Sequence, residues 1–463
     1  MTPVSPGQDG SPREAGQSQH WRLARLSHAR RSDAGLARSR IGLGPSRPQR
    51  APNTTRCTIR ACVGALALTF VIAQPAVAQN GGRSKQDAGL RWKDGSLRAG
   101  DAVRLEPHAR FQTDLLLTDQ EEPVDDRFAW ARRRIGLDGE LFGRVEFQVE
   151  RELEAESPWR DIYGDVKIAQ ALRIRAGRFK VPFSMEHTTS GFALDFLERS
   201  TAVTAMSPGR DLGVMAHGRL ADRMLKYEVG LFKHTDSVEV PVDGNRADAT
   251  SGVGTIAGRV TLAPVRDDDE GTTRDLAFGV AFARNTMPEG LYGIIGRALD
   301  GKRFFERMYV NGARTRLGVE SLWSAGPFTL KGELLQLTDE RTQQATTGGD
   351  LSNLIVRGAY VTGTWRVVGD SGRKGSAVDV SARFDRLAFT SANTSDEAFT
   401  NPRADHVAPL SQRAWTFGAT WAVNRWVRVQ VNAIREQLID PLGVRDLAPI
   451  ALWTTTMRLQ FGL

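Results

Sequence analysis

The chain has 463 residues, with 62 Lys and Arg against 54 Asp and Glu, and a mean hydropathy of −0.34. Residues 61–73 form its one extended apolar and uncharged run, which is too short to cross a bilayer as a helix. The composition therefore excludes a helical membrane protein. It permits a closed transmembrane β-barrel, in which polar residues facing the lumen dilute the apolar residues that face lipid.

The first 78 residues have the organisation of a leader. They contain 11 Arg, no Lys and three acidic residues. A basic stretch, the apolar run and an Ala-x-Ala site ending at Ala78 follow one another, which is the order of a secretory signal peptide. We therefore predict a signal peptide over 56–78, preceded over 1–55 by a disordered leader or by an artefact of the start site. A short buried helix and an amphipathic transit peptide are the alternatives.

Removal of this leader changes the charge balance, because the remaining chain has 51 basic and 51 acidic residues. The sequence pI of about 9.7 therefore does not indicate a nucleic-acid-binding protein. Both cysteines, Cys57 and Cys62, also lie in the leader, so the mature chain cannot form disulfides or thiolate metal sites. We predict no cofactor, no metal and no nucleic-acid partner.

From Val103 onward, apolar and polar residues alternate with a period of two, which is the pattern of strands with one apolar and one polar face. In the predicted strand 143–152, Val145, Phe147 and Val149 alternate with charged or amide side chains. Charged residues are too frequent on the second face for a packed core, but a water-filled lumen accepts them.

We predict a barrel domain of about sixteen strands over 103–463, preceded by a flexible periplasmic lead-in over 79–102. Each predicted strand has about the length that a tilted strand needs to cross a bilayer. The predicted strands are 103–117, 128–142, 143–152, 161–169, 171–180, 211–220, 223–232, 253–262, 275–285, 313–322, 328–338, 356–366, 377–387, 413–423, 426–436 and 452–463.

The predicted connections alternate between seven short turns and eight long loops. Outer-membrane barrels have short periplasmic turns and longer extracellular loops, whereas a soluble β-sandwich has no reason to sort its connections in this way. Aromatic residues recur near the predicted strand ends, as in the girdles of such barrels, although ordinary packing would also explain any single one. The last strand ends the chain on Leu463, whereas similar barrels end on an aromatic residue; here the nearest is Phe461.

The segments that carry a family resemblance are Gly177–Glu186, Leu197–Ser200, Asp211–Val214 and Gly230–Phe232. They resemble the phosphate-selective porin O/P family. The resemblance implies an all-β, antiparallel up-and-down transmembrane barrel of sixteen strands, assembled as a homotrimer in the outer membrane of a Gram-negative-type bacterium. It also implies that the third long loop, predicted over 181–210, folds into the pore and narrows it.

The residues of this loop agree with an inward fold. Pro182 cannot donate a hydrogen bond to a sheet and therefore ends the preceding strand. The loop mixes apolar residues with charges, so it can pack on the barrel wall and still expose charge to the pore; an ordinary surface loop is the alternative. The predicted constriction residues are Phe183, Glu186, Asp195, Glu198 and Arg199.

Basic residues recur on the strand faces that we assign to the lumen. Phosphate-selecting members of the family line the pore with basic side chains, and arginine binds phosphate through two parallel hydrogen bonds. Acidic residues such as Glu150, Glu228 and Glu320 share these faces, so ion pairs within the wall are the alternative role. The predicted pore-lining and anion-binding residues are Arg132, Arg134, Arg144, Arg173, Arg175, Arg219, Arg314, Arg316, Lys331, Arg366, Arg428 and Arg458.

Together these observations predict an outer-membrane porin, a water-filled channel for passive diffusion of small solutes that prefers anions such as phosphate or polyphosphate. A non-selective general porin is one alternative. A structural or adhesive barrel is another, but such barrels typically have fewer strands and a blocked lumen. An enzyme is not predicted, because the sequence contains no GxSxG, HExxH or P-loop motif.

Overall fold

The computed structural model describes a discontinuous set of residues that begins at Leu90. They are 90–93, 95–118, 128–154, 158–234, 254–267, 274–293, 305, 307–345, 348–369, 376–390, 410–440 and 450–462. The predicted leader, the predicted signal peptide and the first part of the predicted lead-in lie outside these residues.

Strands dominate the described residues, and only two short helices accompany them. The strands are β1 (Leu90–Lys93), β2 (Ser96–Ala99), β3 (Val103–Thr118), β4 (Phe128–Leu141), β5 (Val145–Glu152), β6 (Trp159–Ala169), β7 (Leu172–Lys180), β8 (Arg210–Leu220), β9 (Leu225–Phe232), β10 (Thr255–Asp267), β11 (Arg274–Gly293), β12 (Arg307–Ala325), β13 (Phe328–Arg341), β14 (Leu351–Val368), β15 (Ala377–Phe389), β16 (Ser411–Ala422), β17 (Val427–Ile439) and β18 (Ile450–Gly462). The helices are α1 (Met185–Thr188) and α2 (Thr201–Met206).

The sixteen strands β3 to β18 form a closed ring. Each pairs antiparallel with the next, and β18 pairs back onto β3, from Thr454 opposite Thr118 to Gly462 opposite Arg110. Every strand of the ring therefore has a hydrogen-bonded neighbour on both sides, which removes the open edges of a sheet. The predicted all-β, up-and-down barrel of sixteen strands is confirmed.

A short hairpin precedes the barrel. β1 pairs with β2, and β2 pairs with the start of β3, where Leu97 lies opposite Leu105. The pairing of β18 with β3 ends at Gly462, and β4 pairs with the other edge of β3. β2 therefore pairs with the part of β3 that β18 does not reach. Residues 90–93 and 96–99 of the lead-in that the sequence predicts to be flexible are therefore paired strands, because an unpaired stretch of β3 accepts β2 and β2 accepts β1.

β11 and β12 extend furthest beyond their predicted bounds. β11 and β12 stay paired as far as Gly293 opposite Arg307, so the long loop predicted over 286–312 is shorter than expected. Pro288 indicates a strand end in the sequence, but the pairing of β11 with β12 shifts register at this proline. A bulge is one of the few strand positions that tolerate proline, so the ladder resumes beyond it.

The two faces of the barrel wall differ as the alternation predicts. Val319 and Leu334, which lie opposite each other on β12 and β13, are 55% and 64% exposed on the outer face. The adjacent pair, Glu320 and Glu333, is buried on the inner face. The wall therefore presents apolar side chains outward and polar side chains to the lumen, as a barrel in a bilayer requires.

Both helices lie in the segment 181–209, which we call the inner loop. Ser184 Oγ accepts a hydrogen bond from the His187 N–H at 3.1 Å, and Ser200 Oγ accepts one from the Val203 N–H at 3.1 Å. These serines cap α1 and α2, as serine commonly does at a helix start. Among the described residues there is no helix long and apolar enough to span a membrane.

Candidate functional site

The inner loop lies inside the barrel. Its carbonyl groups accept hydrogen bonds from remote strands: Met206 O from Arg316 Nε at 2.9 Å, and Phe192 O from Arg428 Nη1 at 2.6 Å. These donors belong to β12 and β17, whereas the loop connects β7 to β8, so the loop must cross the lumen to reach them. The expectation that the third long loop folds into the pore is confirmed.

Apolar packing holds α2 against the inner wall. Ala202, Val203 and Met206 have no exposed surface, and α2 contacts β13, β14 and β15. A Cβ atom at Gly358 of β14 would lie 2.5 Å from the Ala202 Cβ atom, so glycine is required for this close approach. Phe183 is also fully buried, so this predicted constriction residue packs the loop onto the wall.

A buried carboxylate of the wall fixes the start of the inner loop. Glu333 accepts hydrogen bonds from the Glu186 N–H at 2.7 Å, the Met185 N–H at 3.2 Å and the Tyr360 hydroxyl at 2.8 Å. The Glu186 carboxylate, a predicted constriction residue, is itself buried and lies 3.4 Å from the Arg383 guanidinium. Removal of any of these groups leaves its partner desolvated and unpaired.

The remaining acidic residues of the loop pair with cations of the wall. Asp195 forms an ion pair with Lys331, and the Glu198 carboxylate lies 2.7 Å from Arg458 and 3.8 Å from Arg132. The Glu198 side chain is still 64% exposed to the lumen. The barrel wall that surrounds Glu198 desolvates this carboxylate and by itself would raise its pKa, but the charges of Arg132 and Arg458 outweigh this effect and hold the pKa below its ordinary value.

Two cations hold the end of α1. Arg199 donates to the Glu186 carbonyl at 2.9 Å and to the Thr189 carbonyl at 2.6 Å. Lys180, the last residue of β7, donates to the carbonyls of His187 and Thr189 at 2.8 Å each. Burial, and then the charge of Lys180, lowers the pKa of His187 well below its ordinary value, so its imidazole is neutral. Arg199 therefore stabilises the loop from within.

Five of the twelve predicted pore-lining cations bind the inner loop. Their side chains donate to its carbonyl groups or pair with its carboxylates, and this use leaves them little freedom to bind a solute. They are Arg132, Arg316, Lys331, Arg428 and Arg458.

Five more of the predicted cations form ion pairs within the wall, which is the alternative role that the sequence leaves open. The pairs are Arg134 with Glu152 at 2.7 Å, Arg173 and Arg175 with Asp165 at 2.8 Å each, Arg314 with Asp339 at 2.6 Å, and Arg366 with Asp379 at 2.8 Å.

The last two predicted cations are exposed. Arg219 lies on the inner face of β8 and forms no side-chain hydrogen bond or ion pair with another described residue. Arg144 lies in the turn before β5, which begins at Val145 and not at residue 143 as the alternation suggests. The structure therefore places Arg144 at the rim of the barrel and not on a strand inside it.

A cavity of about 780 Å³ opens between the inner loop and the wall formed by β3 to β10. Three carboxylates line it, Glu150, Asp161 and Glu228. Eleven basic residues line it too: Arg110, Arg134, Lys167, Arg173, Arg175, Lys180, Arg210, Arg219, Arg223, Lys226 and Arg259. We call this part of the lumen the basic channel.

Seven cations of the basic channel are absent from the sequence-based prediction. Alternation along the strands would have placed Arg110, Lys167 and Arg259 on the inner face, so the signal for these three was present. Lys180 and Arg210 lie opposite each other at the ends of β7 and β8, where the chain leaves the ladder. Alternation does not predict side-chain direction at such positions.

A comparison with protein families identifies the family to which this barrel belongs. The family model of phosphate-selective porin O and P matches residues 102–440, which is most of the chain and nearly all of the barrel. The chain belongs to the phosphate-selective porin O and P family. It is an outer-membrane porin of a Gram-negative bacterium, and this family and fold are those of a channel and not of an enzyme.

Solved structures resemble this porin in fold. OmpT of Vibrio cholerae has a TM-score of 0.50 at 11% identity, covering 79% of this chain and 99% of its own. The trimer form of in-vitro folded OmpT from Vibrio cholerae has a TM-score of 0.51 at 11% identity, covering 78% and 100%. At such identities the likeness shows the fold alone. The comparison with curated protein sequences found no match.

A metal centre is not apparent in the described part of this porin. No group of three or more His, Cys, Asp or Glu side chains there could hold a metal ion. His217 lines the cavity beside Arg173, and its imidazole lies 2.8 Å from the Asp165 carboxylate.

Proposed function

We propose that this porin conducts small anions in preference to cations, through the basic channel beside the inner loop. The observation that carries the proposal is the lining of the channel, with eleven basic residues against three carboxylates. Residues 79–463 carry 51 residues of each sign, so the imbalance is a local property of one part of the lumen. An excess of fixed charge of one sign along an aqueous path concentrates solutes of the opposite sign.

One carboxylate organises the middle of the channel. Asp165 lies 2.8 Å from Arg173, from Arg175 and from His217. Asp165 thus positions two guanidinium groups. Arg173 also pairs with Glu146 at 2.5 Å, and the Arg175 guanidinium lies 4.1 Å from the centre of the Tyr163 ring. Cations held in place in this way bind a passing anion without having to reorganise, and a row of weak sites favours conduction.

Three cations near the short-turn end of the channel are available to solute. Lys167, Arg219 and Arg223 are exposed, and none of them forms a side-chain hydrogen bond or ion pair with another described residue. A cation that is exposed and unpaired keeps its hydrogen-bond donors for an anion from solution. We assign to these three the exchange of anions between the channel and the periplasm.

We extend the proposal to phosphate and polyphosphate as preferred solutes. Eight of the eleven channel cations are arginines, whose planar guanidinium groups bind phosphate oxygens through two parallel hydrogen bonds. We also propose that the chain assembles as a homotrimer. The support for this is the family and the likeness in fold to OmpT, for which a trimer form is known.

Zero-current potentials in planar bilayers test the anion preference. Across a KCl gradient we expect the sign of a chloride-permeable channel, and we expect R219E/R223E to move the potential toward zero. The matched control is Arg425→Glu, which makes the same change of charge in the turn between β16 and β17, outside the basic channel. A potential of the cation-selective sign contradicts the proposal, and a value near zero favours the non-selective general porin.

Inhibition of the chloride current tests the preference for phosphate. We expect phosphate to reduce this current at concentrations at which sulfate, a dianion of similar size, has a weaker effect. If phosphate leaves the chloride current unchanged while the channel stays anion-selective, phosphate preference is wrong and anion preference stands. The molecular mass of the native complex in detergent tests the trimer.

A further inference from the structure

A row of arginines runs across the outer face of four neighbouring strands. Arg357, Arg386, Arg413 and Arg435 lie on β14, β15, β16 and β17 and are all exposed. Arg386 lies directly opposite Arg413, which brings their Cβ atoms to about 5 Å from each other. Arg357 is diagonal to Arg386, and Arg435 is diagonal to Arg413, each at about 7–8 Å. We call these residues the outer arginine row.

The row points away from the lumen. Phe417 and Trp415 share the face of β16 with Arg413, whereas Thr416 and Gln412 on the opposite face are buried inside. Arg435 lies opposite Trp415 and therefore shares the same outer face. The outer arginine row consequently belongs to the surface that the bilayer surrounds, and it has no part in the basic channel.

The charges of the row are not balanced by the described part of the protein. None of the four arginines forms an ion pair with another described residue. The Arg357 Nε donates to Gln336 Oε1 at 3.0 Å, and the Arg435 guanidinium lies 5.8 Å from the centre of the Trp453 ring. Like charges directly opposite each other destabilise a sheet, so the pair Arg386 and Arg413 favours an anion between them.

The neighbouring aromatic residues indicate the depth of the outer arginine row in the membrane. The next outward residues toward the short turns form an aromatic belt: Phe384 and Trp415 rings are 4.9 Å apart, and Trp415 and Phe417 rings are 6.3 Å apart. Such belts mark the boundary between the hydrocarbon and the headgroups. The arginines lie on the side of the belt near the long connections, which in outer-membrane barrels is the extracellular side.

The headgroups of the outer leaflet therefore meet a contiguous set of four guanidinium groups. We propose that Arg357, Arg386, Arg413 and Arg435 bind the phosphate groups of a phosphorylated lipid of the outer leaflet. Guanidinium groups suit this ligand because each offers two parallel donors to a phosphate, and the long side chain extends from the strand into the headgroup region. The aromatic rings below would contact the acyl chains of the same lipid.

The periplasmic end of the same four strands differs and supports the assignment. There the outward residues include Trp365, Val380, Trp421 and Val429, and the basic residues of these strand ends, Arg366 and Arg428, face the lumen. A general preference of barrel strands for arginine near the interface would place cations at both ends. The one-sided distribution indicates a ligand that only the extracellular leaflet offers.

Thermal unfolding of the purified full chain in neutral detergent tests this proposal. The probes are lipid A, which is a diphosphorylated glycolipid, its dephosphorylated counterpart, and inorganic phosphate. We expect lipid A to raise the unfolding temperature of the wild type more than either other probe, since binding to the folded state alone stabilises it. We expect R386Q/R413Q to lose most of this rise and the control Arg425→Gln to keep it.

Three results would overturn the proposal. They are an equal rise with the dephosphorylated lipid, a full rise retained by R386Q/R413Q, and an equal rise with inorganic phosphate, which would assign the row to free anions. If the double variant does not fold, Arg413→Lys keeps the charge and removes the paired donors; we expect about tenfold weaker binding of lipid A, and unchanged binding contradicts the proposal.

The proposals of a lipid site and of an anion channel can be tested independently. The outer arginine row faces away from the lumen, so we expect R386Q/R413Q to keep the zero-current potential of the wild type in bilayers of neutral lipid. The reverse holds for R219E/R223E, which should keep the full response to lipid A.

Discussion

The two halves of the lumen use inward-facing arginines in different ways. On the side of β12 to β18, Arg316, Arg428 and Arg458 donate to carbonyl groups of the inner loop. On the side of β3 to β10, Arg173 and Arg175 share Asp165 and line the basic channel. The same residue type on the same face of alternating strands thus anchors a loop in one half and forms the solute path in the other. The position of the inner loop makes the difference.

The largest effect should come from release of the loop by Glu333→Ala. This change leaves the Glu186 N–H, the Met185 N–H and the Tyr360 hydroxyl without their acceptor, at about 1–3 kcal/mol for each group that stays unpaired. We expect higher single-channel conductance and weaker anion preference, because the two halves of the lumen then merge. Leu334→Ala, on the outer face of the same strand, is the control; wild-type conductance in Glu333→Ala contradicts the role of this anchor.

A smaller change of the same kind is Arg458→Gln. It removes the cation that lies 2.6 Å from Asp114 and 2.7 Å from Glu198, without touching the basic channel. We expect a loss of about 1.5–3 kcal/mol in the free energy of unfolding, the range for a hydrogen bond to a charged group. We also expect noisier single-channel currents with an unchanged zero-current potential. A shifted potential with quiet currents would place Arg458 in the solute path.

Arg175→Gln tests the other half of the lumen. Asp165 keeps Arg173 and His217 as partners, so we expect a change in stability of no more than about 1 kcal/mol. Inhibition of the chloride current by phosphate should require a several-fold higher phosphate concentration. Arg366→Gln is the matched control, since Arg366 is paired with a wall carboxylate outside the basic channel. Equal effects of the two substitutions would remove the distinction between the halves.

The smallest effect concerns Glu198 and pH. Arg132 and Arg458 outweigh desolvation by the surrounding wall and hold the pKa of Glu198 below the ordinary value of 4.5, so the ionised Glu198 stabilises the folded state above pH 4.5. This contribution is lost as the pH falls through the lowered pKa. We expect Glu198→Gln to unfold at a lower temperature than the wild type at neutral pH, and the difference to vanish in strong acid. A difference that stays constant from neutral to acid pH would show that the ionised carboxylate is not responsible.

Strand alternation is the part of the fold that the sequence predicts best. Each barrel strand exposes one face to lipid and one to the lumen, so its pattern depends on nearest neighbours in the chain and not on distant contacts. For this reason the sixteen-strand barrel follows from the sequence, and eleven of the twelve predicted cations lie on inward-facing strand positions. Arg144 is the exception, because it lies in a turn, where side chains do not alternate between two faces.

The partners of those cations follow from the tertiary structure alone. Nothing local distinguishes Arg428, which donates to the carbonyl of Phe192 some 236 residues away in the chain, from Arg175, which lines the channel. The outer row arises in the same way, since Arg386 and Arg413 become neighbours only when β15 pairs with β16 in one register. Side-chain direction is a local property of a strand, but the group that a side chain meets depends on ring closure and on the path of the inner loop.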